Sequence, residues 1–276
     1  MNFGPAVGLS PVQTAFLSPR EDWRSVEHYR FLLDHDCVEW AGEWLRRNPD
    51  FLADLRCAPC FSRMDDAWED GRVRVISCAE TCPLARWGLR CCRMNGGDPV
   101  FFWLPKCNPQ VLMVDAEIAE NAEDAIDLRQ CFLLKAVLRV AEQKTYLLFS
   151  DGDRTLQVVV GGHSTFEQPV LLRCMLRGLR EFGTKPLTLQ RLCCLYRHGR
   201  LVKSLYPRER RSHRWIEMLR VWDGVQPGAR LREIAFALFG EHAAGDGWNE
   251  GYRLRTQRLI RTAEHMVGGG YLKLLL

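Results

Sequence analysis

Apolar residues near the start of the chain recur at helical spacing. Between residues 22 and 56 a stripe of large apolar side chains follows an α-helical period, and Asn48–Pro49 interrupts it. The stripe comprises Trp40, Ala41, Trp44 and Leu45. This pattern predicts a small helical module whose tryptophans lie in its core. The first 21 residues carry Pro and Gly at intervals, which is typical of a flexible arm.

The middle of the chain changes to short apolar runs typical of β-strands. Residues 57–98 are rich in cysteine and end in the turn sequence NGGDP, after which runs at 99–105 and 110–116 predict strands. Residues 131–162 predict three more strands, the last two joined by an Asp-Gly turn that favours a hairpin. We expect these runs to form a small antiparallel sheet.

From residue 169 to the end the spacing becomes helical again, with breaks predicted at Gly183 and Pro186. Three amphipathic helices follow. The first is predicted to begin at Pro207, the second ends at Gly240, and the last ends at the glycines after residue 267. The last two resemble a helix-turn-helix, although their connection exceeds the usual turn of about three or four residues.

Charge is distributed unevenly along the chain. The protein has 276 residues, is 47% hydrophobic and 26% charged, and has a net charge of +4. Residues 1–169 contain 18 basic and 25 acidic side chains, whereas residues 170–276 contain 20 and 9. A strongly basic region favours binding to a polyanion, although two oppositely charged halves could also dock on each other. The sequence shows neither a secretory signal nor a membrane-spanning run, so we expect a cytoplasmic protein.

The arginines of the basic helices are the candidate DNA-binding residues. On the last helix they lie largely opposite the apolar side, where arginine forks and a glutamine amide could contact bases. The candidates for base contacts are Arg255, Gln257, Arg258 and Arg261, with Arg253 on the flank. The candidates for phosphate contacts are Arg208, Arg210, Arg211, Arg214, Arg230 and Arg232.

A cysteine cluster offers a second kind of candidate site. Cys57 and Cys60 are followed by Cys78 and Cys82, a spacing close to that of a zinc ribbon. The second pair, however, runs directly into a segment predicted to be helical, and no hairpin flanks the first. The alternative is that these thiols are small buried side chains in a reducing compartment, and we expect no cofactor.

The C-terminal residues resemble a known family. From about residue 155 the chain is similar to the DNA-binding domain of RovC-type activators of type VI secretion genes, in stretches such as REIAFALFG, LRTQRLIR and GGY. Separately, residues 22–51 resemble a small helical module found ahead of that domain in proteobacterial regulators, some of which serve integrative conjugative elements. The cysteine cluster does not belong to this pattern.

Pattern and resemblance together predict an α+β fold that is mainly helical, with a small antiparallel sheet in the middle. A C-terminal helix-turn-helix-like region would bind DNA. We expect four segments: a flexible arm over 1–21, a helical regulator-like module with the cysteine-rich segment over 22–98, a β section over 99–162 and a basic helical DNA-binding region over 163–276.

The resemblance implies a sequence-specific transcriptional regulator, an activator of secretion or mobile-element genes, rather than an enzyme. Its partners would be double-stranded promoter DNA and further copies of itself, with RNA polymerase or a small regulatory protein as additional candidates and no membrane. One alternative is an adaptor or antiactivator whose basic half binds an acidic partner. Another is a nucleic-acid-processing enzyme, for which the acidic residues between 65 and 70 form the densest carboxylate cluster outside the helices.

Overall fold

A computed structural model of the chain describes residues 22–57, 73–78, 81–95, 98–119, 125–140, 144–162, 168–176, 178–243 and 248–276. The predicted arm, Cys60 and the acidic cluster between 65 and 70 lie outside these residues. The chain divides into two compact units. One contains the N-terminal segment up to Leu52, Met94–Pro99 and Arg208–Leu274, and the other contains Ala53–Arg93, Val100–Pro207 and Leu275–Leu276.

The described α-helices are α1 Cys37–Leu45, α2 Pro49–Cys57, α3 Gly178–His198, α4 Ser212–Val225, α5 Leu231–Phe239 and α6 Glu250–Val267. Short 3-10 helices are Val26–Asp34, Pro83–Trp87, Leu128–Gln130, Lys203–Leu205, Glu241–Ala243 and Gly270–Leu274. The strands are β1 Arg74–Cys78, β2 Leu89–Asn95, β3 Asp98–Trp103, β4 Leu112–Ile118, β5 Leu134–Val140, β6 Lys144–Ser150, β7 Thr155–Gly162 and β8 Val170–Cys174. The predicted α+β class is confirmed. None of the described helices combines the length and apolar character that crossing a membrane requires.

The principal sheet is mixed, so the prediction of an antiparallel sheet is wrong in part. Its six strands have the order β1-β5-β6-β7-β4-β8. The central β5, β6 and β7 are an antiparallel meander, as expected from their short turns. However, β1 pairs with β5 and β4 pairs with β7 in parallel, at the two outer edges of the meander. Strands that pair in parallel are joined by long crossover connections, which the short apolar runs do not reveal. The strand predicted at 99–105 instead pairs with β2 in a separate two-stranded sheet.

Two predictions for the segment after residue 169 are wrong. Residues 170–174 were expected to be helical but form β8, which pairs antiparallel with β4, because a short apolar run fits either structure and the open sheet edge decides. The predicted breaks at Gly183 and Pro186 both lie inside α3. That helix is held by tertiary contacts: Lys185 donates to the carbonyl of Val111 at 2.5 Å, and Leu192 belongs to the hydrophobic core that includes the sheet.

The other unit places aromatic residues from both ends of the chain in one core. Trp40 and Trp44 of α1 are buried, which confirms the predicted tryptophan core. Trp40 meets Trp215 of α4 edge to face, with ring centroids 5.1 Å apart, and its indole N–H donates to Ser212 Oγ at 3.2 Å. The N-terminal helices therefore pack directly on the first of the basic helices.

Candidate nucleic-acid interface

A buried carboxylate fixes α4 on the N-terminal helices. Asp223 accepts two hydrogen bonds from Arg47, at 2.7 Å from Nε and 2.9 Å from Nη2, and a third at 2.7 Å from the hydroxyl of Tyr29. Arg47 also donates to Glu43 at 2.8 Å. Burial alone would lower the pKa of the Arg47 guanidinium, but the charges and hydrogen bonds of Asp223 and Glu43 outweigh it and raise that pKa.

The start of α4 differs from the prediction. Pro207 was expected at the first helical position, but the helix begins at Ser212. Glu209 accepts hydrogen bonds from both the backbone and the side chain of Arg211, and its carbonyl accepts one from Ser212 Oγ at 2.6 Å. This turn occupies the residues just before the helix, so Arg208, Arg210 and Arg211 precede α4 rather than lie on it.

The last helix, α6, has the two sides that its sequence predicts. Thr256, Leu259, Ala263 and Val267 are buried. Asn249 caps the helix by accepting from the backbone N–H of Tyr252 at 3.2 Å, a favourable residue at this position. At the other end, Asn48 donates to the carbonyl of Val267 at 2.9 Å. The N-terminal segment thus holds α6 as well as α4.

Arginines of α6 differ in how tightly they are held. Arg253 donates two hydrogen bonds to Glu250, at 2.6 and 2.8 Å. This pairing raises the pKa of the Arg253 guanidinium and lowers the pKa of the Glu250 carboxyl group. The guanidinium of Arg255 lies over the ring of Phe239 in α5, 4.2 Å from the centroid. Arg258 and Arg261 are exposed, and no described carboxylate forms an ion pair with either. Gln257 is half-buried.

An open cleft separates the exposed sides of α4 and α6. It has a volume of about 500 Å³. The lining residues are His213, Arg214, Glu217, Arg255, Arg258, Leu259 and Thr262. Three of the predicted DNA-binding arginines, from two helices that are separated in sequence, therefore meet at one concave surface.

The remaining candidate arginines lie outside the cleft lining. Arg208 forms an ion pair with Asp34, and Arg211 pairs with Glu209 while its guanidinium lies 4.6 Å from the ring centroid of Trp215. Arg210 is exposed. Arg230 and Arg232 are exposed at the beginning of α5, and Arg232 lies 5.6 Å from the ring centroid of Trp248.

Sequence reasoning missed three polar residues that line the cleft together with these arginines. Glu217 was missed because nothing in its local sequence marks it as a neighbour of Arg255. Thr262 was missed because its hydroxyl could equally be solvated. In the structure that hydroxyl donates to the carbonyl of Arg258 at 2.8 Å. His213 also lines the cleft and was not among the candidate residues.

Three of the four candidate zinc ligands fall within the described residues. Cys57 is exposed, Cys78 is half-buried and Cys82 is buried. No described group of three or more His, Cys, Asp or Glu side chains is arranged to hold a metal ion. Burial, together with the neighbouring thiols Cys91 and Cys82, raises the pKa of the Cys92 thiol.

Two family matches cover most of this architecture. Residues 22–92 match the proteobacterial transcriptional regulator-like domain. Residues 181–276 match the family described as the DNA-binding domain of a T6SS (type VI secretion) transcription factor. No curated protein sequence matches the chain. These matches confirm the resemblance expected from the sequence, and both describe regulators rather than enzymes. Together the two matches indicate a transcriptional regulator with a DNA-binding domain, related to type VI secretion.

Proposed function

We propose that this protein is a sequence-specific DNA-binding activator and that α4, α5 and α6 carry its DNA-contacting surface. The supporting observation is that exposed arginines on or just before three neighbouring helices have guanidinium groups that form no described ion pair. They are Arg210, Arg214, Arg230, Arg232, Arg258 and Arg261. An exposed guanidinium that forms no ion pair can donate its hydrogen bonds to a phosphate or a guanine edge.

In this proposal α6 is the helix that enters the major groove. It is the longest of the three, with 18 residues, and its buried side is fixed by packing while its opposite side is exposed. A helix that enters DNA needs such rigid support because base contacts depend on side-chain placement. Helix α5 precedes it as the bracing helix, in a helix-turn-helix-like order. Arg208, Arg211 and Arg253 join the surface once DNA phosphates compete for their carboxylate partners.

The protein would act on DNA as a homo-oligomer. A single helical unit that offers a few base-contacting side chains rarely provides enough affinity, and operators commonly repeat or mirror the symmetry of the bound protein. RNA polymerase or a small regulatory protein would bind a different surface from the arginines. Light scattering of the free protein and of its DNA complex gives the number of copies directly.

The function is tested by selecting duplexes from a random-sequence library with the purified full-length protein. Fluorescence anisotropy then compares the enriched duplex with a scrambled one across a salt series. We expect a preference for the enriched duplex and an affinity that falls steeply with salt. The control variant, Arg139→Ala, removes the same charge from an exposed position on β5 and should behave as wild type.

Three outcomes would contradict the proposal. Failure of both duplexes to bind at low salt would mean that the arginines serve an acidic protein partner, as in an adaptor. Equal binding of both duplexes would remove sequence specificity. Cleavage of the duplex with added Mg²⁺ or Mn²⁺ would indicate a nucleic-acid-processing enzyme. A reporter gene downstream of the enriched site separates an activator from a repressor.

A further inference from the structure

We propose that the cleft between α4 and α6 binds the sugar–phosphate backbone of one DNA strand. Arg214, Arg255 and Arg258 would donate hydrogen bonds to its phosphates. This inference rests on the proposed function and divides the arginines of α6 between two tasks. Those that line the cleft contact the backbone, and Arg261, which lies one turn further along and does not line it, remains to read bases.

The concave shape of the site argues for the backbone rather than the bases. Base edges lie at the floor of a major groove about 12 Å wide, which admits one helix. Two packed helices have axes about 8–10 Å apart and together exceed that width. A surface that spans α4 and α6 therefore cannot enter the groove. It can, however, receive the convex ridge of phosphates at the edge of the groove while α6 itself points inward.

The size and lining of the cleft suit a phosphodiester. Its volume of about 500 Å³ far exceeds that of a single water molecule and leaves room for a phosphate with its flanking sugars. Leu259, only 8% exposed, and the half-buried Thr262 provide a lining without charge. Arginine is well matched to phosphate because its planar fork can donate two parallel hydrogen bonds.

The three arginines that line the cleft differ in how strongly other side chains restrain their guanidinium groups before DNA binds. Arg214 and Arg258 are exposed, and no described carboxylate pairs with them. Arg255 is partly pre-positioned, since its guanidinium rests 4.2 Å from the ring centroid of Phe239. A side chain that is already restrained loses less conformational entropy when it binds. We therefore expect all three to contribute, with Arg255 the most ordered before DNA arrives.

Among the described residues that line the cleft, Glu217 is the one carboxylate, and it gives the proposal a second test. Its negative charge faces the same space as the three arginines and would repel a phosphate. Such repulsion limits binding to any DNA backbone, whatever its sequence, and so favours complexes in which base contacts add their own free energy. Removing the charge should strengthen binding to every duplex by a similar factor.

The first experiment measures DNA affinity by fluorescence anisotropy at several salt concentrations, with an enriched duplex and a scrambled one. The full-length variants are Arg214→Ala, Arg258→Ala and Arg261→Ala, with Arg139→Ala as the charge-matched control. Loss of one phosphate contact should reduce the slope of log affinity against log salt by about 0.9. We expect Arg214→Ala and Arg258→Ala to show this reduction and to weaken both duplexes equally, whereas Arg261→Ala should weaken mainly the enriched duplex.

Several results would overturn the backbone assignment while leaving the proposed function intact. One is loss of sequence preference in Arg214→Ala or Arg258→Ala with an unchanged salt slope. Another is wild-type affinity in both variants. In contrast, failure of the wild-type protein to bind either duplex would reject the proposed function itself. Unchanged thermal unfolding of each variant, expected because these side chains are exposed, excludes misfolding as the cause.

The second experiment uses Glu217→Gln in the same assay. A similar gain in affinity for both duplexes supports the phosphate-binding cleft, and a loss confined to the enriched duplex would instead indicate a base contact by the carboxylate and overturn it. Competition with adenosine monophosphate and inorganic phosphate tests whether the cleft binds a small phosphate-containing molecule instead of DNA. Displacement of DNA by either at submillimolar concentration would identify a small-molecule site and reject the DNA backbone as the ligand of the cleft.

Discussion

Arg47 and Asp223, separated by 176 positions in sequence, form a two-point ion pair inside the compact unit that contains both chain segments, with N–O distances of 2.7 and 2.9 Å. Both side chains are almost entirely buried, at 7% and 3% exposed. Arg47 lies in the segment that matches the regulator-like domain, and Asp223 lies in the segment that matches the DNA-binding domain. The two matched families are thus joined inside one unit by a contact that neither segment contains alone.

Breaking this ion pair should destabilise the protein strongly. Asp223→Ala leaves the buried Arg47 guanidinium without its principal partner and the Tyr29 hydroxyl without its acceptor. Removal of one member of a buried pair typically costs about 3–5 kcal/mol of unfolding free energy. Urea unfolding monitored by tryptophan fluorescence measures the change. The matched control is Arg253→Ala, which breaks an exposed pair with Glu250 and should have a much smaller effect.

A second pair of substitutions tests the packing of the N-terminal tryptophan on α4. A Cβ added to Gly224 would lie 2.9 Å from Cδ2 of Trp23, whose ring is buried. We therefore expect Gly224→Ala to lower the unfolding free energy by about 1–3 kcal/mol, as overpacking does in other cores. Gly183→Ala provides the control, because nothing lies within 4 Å of its added Cβ in α3, and it should stabilise by about 0.5–1 kcal/mol. Equal effects would contradict the packing argument.

Adjacent arginines before α4 should differ in their contribution to DNA affinity. Arg211 is held by Glu209 and by the ring of Trp215, whereas the exposed guanidinium of Arg210 forms no described ion pair. If Arg211 moved to contact a phosphate, it would lose its ion pair with Glu209 and its contact with the Trp215 ring, neither of which Arg210 makes. We therefore expect Arg210→Ala to reduce the salt slope of DNA binding by about 0.9 and Arg211→Ala to reduce it by less. A larger effect of Arg211→Ala would show that the ion pair does not restrain it.

These arginines illustrate what the sequence could and could not predict. The helical period placed Leu259 and Ala263 on the buried side of α6 and Arg258 and Arg261 on the exposed side, because solvent exposure follows local periodicity. The exposed side of α4 followed the same rule at Arg214. The ion pairs of Arg208 with Asp34 and of Arg47 with Asp223 could not be predicted, since each joins residues that only the tertiary fold brings together.

The sheet shows the same division between local and non-local information. The Asp-Gly turn predicted the β6–β7 hairpin, which pairs Leu147 with Val158. The parallel pairing of β4 with β7 joins strands that are distant in sequence, so periodicity alone could not reveal it. In β8, Leu171 and Leu172 fit a helix or a strand equally well, and pairing with β4 selected the strand.

Glu209 should make the unfolding free energy of the protein depend on pH. The hydrogen bond from the Arg211 side chain, with further backbone hydrogen bonds, holds the pKa of this carboxyl below its ordinary value. A lowered pKa in the folded state means that the contribution is present above the ordinary glutamate pKa of about 4.3 and is lost as pH falls through the folded-state value. We expect the unfolding free energies of wild type and Glu209→Gln to converge as pH falls from about 5 to 3. A constant difference across this range would contradict the assignment.

The DNA-binding family segment should not fold well by itself. Residues 181–276 contain Trp215, whose ring packs edge to face on Trp40, and Val267, whose carbonyl accepts from Asn48. Without residues 22–52 this fragment would expose the core side of α4 and leave Asp223 buried without Arg47. We expect the fragment to lack a cooperative thermal transition by circular dichroism, and a fusion that restores residues 22–52 through a flexible linker to regain one. Cooperative unfolding of the fragment alone would show that the N-terminal helices stabilise, but are not required for, the DNA-binding fold.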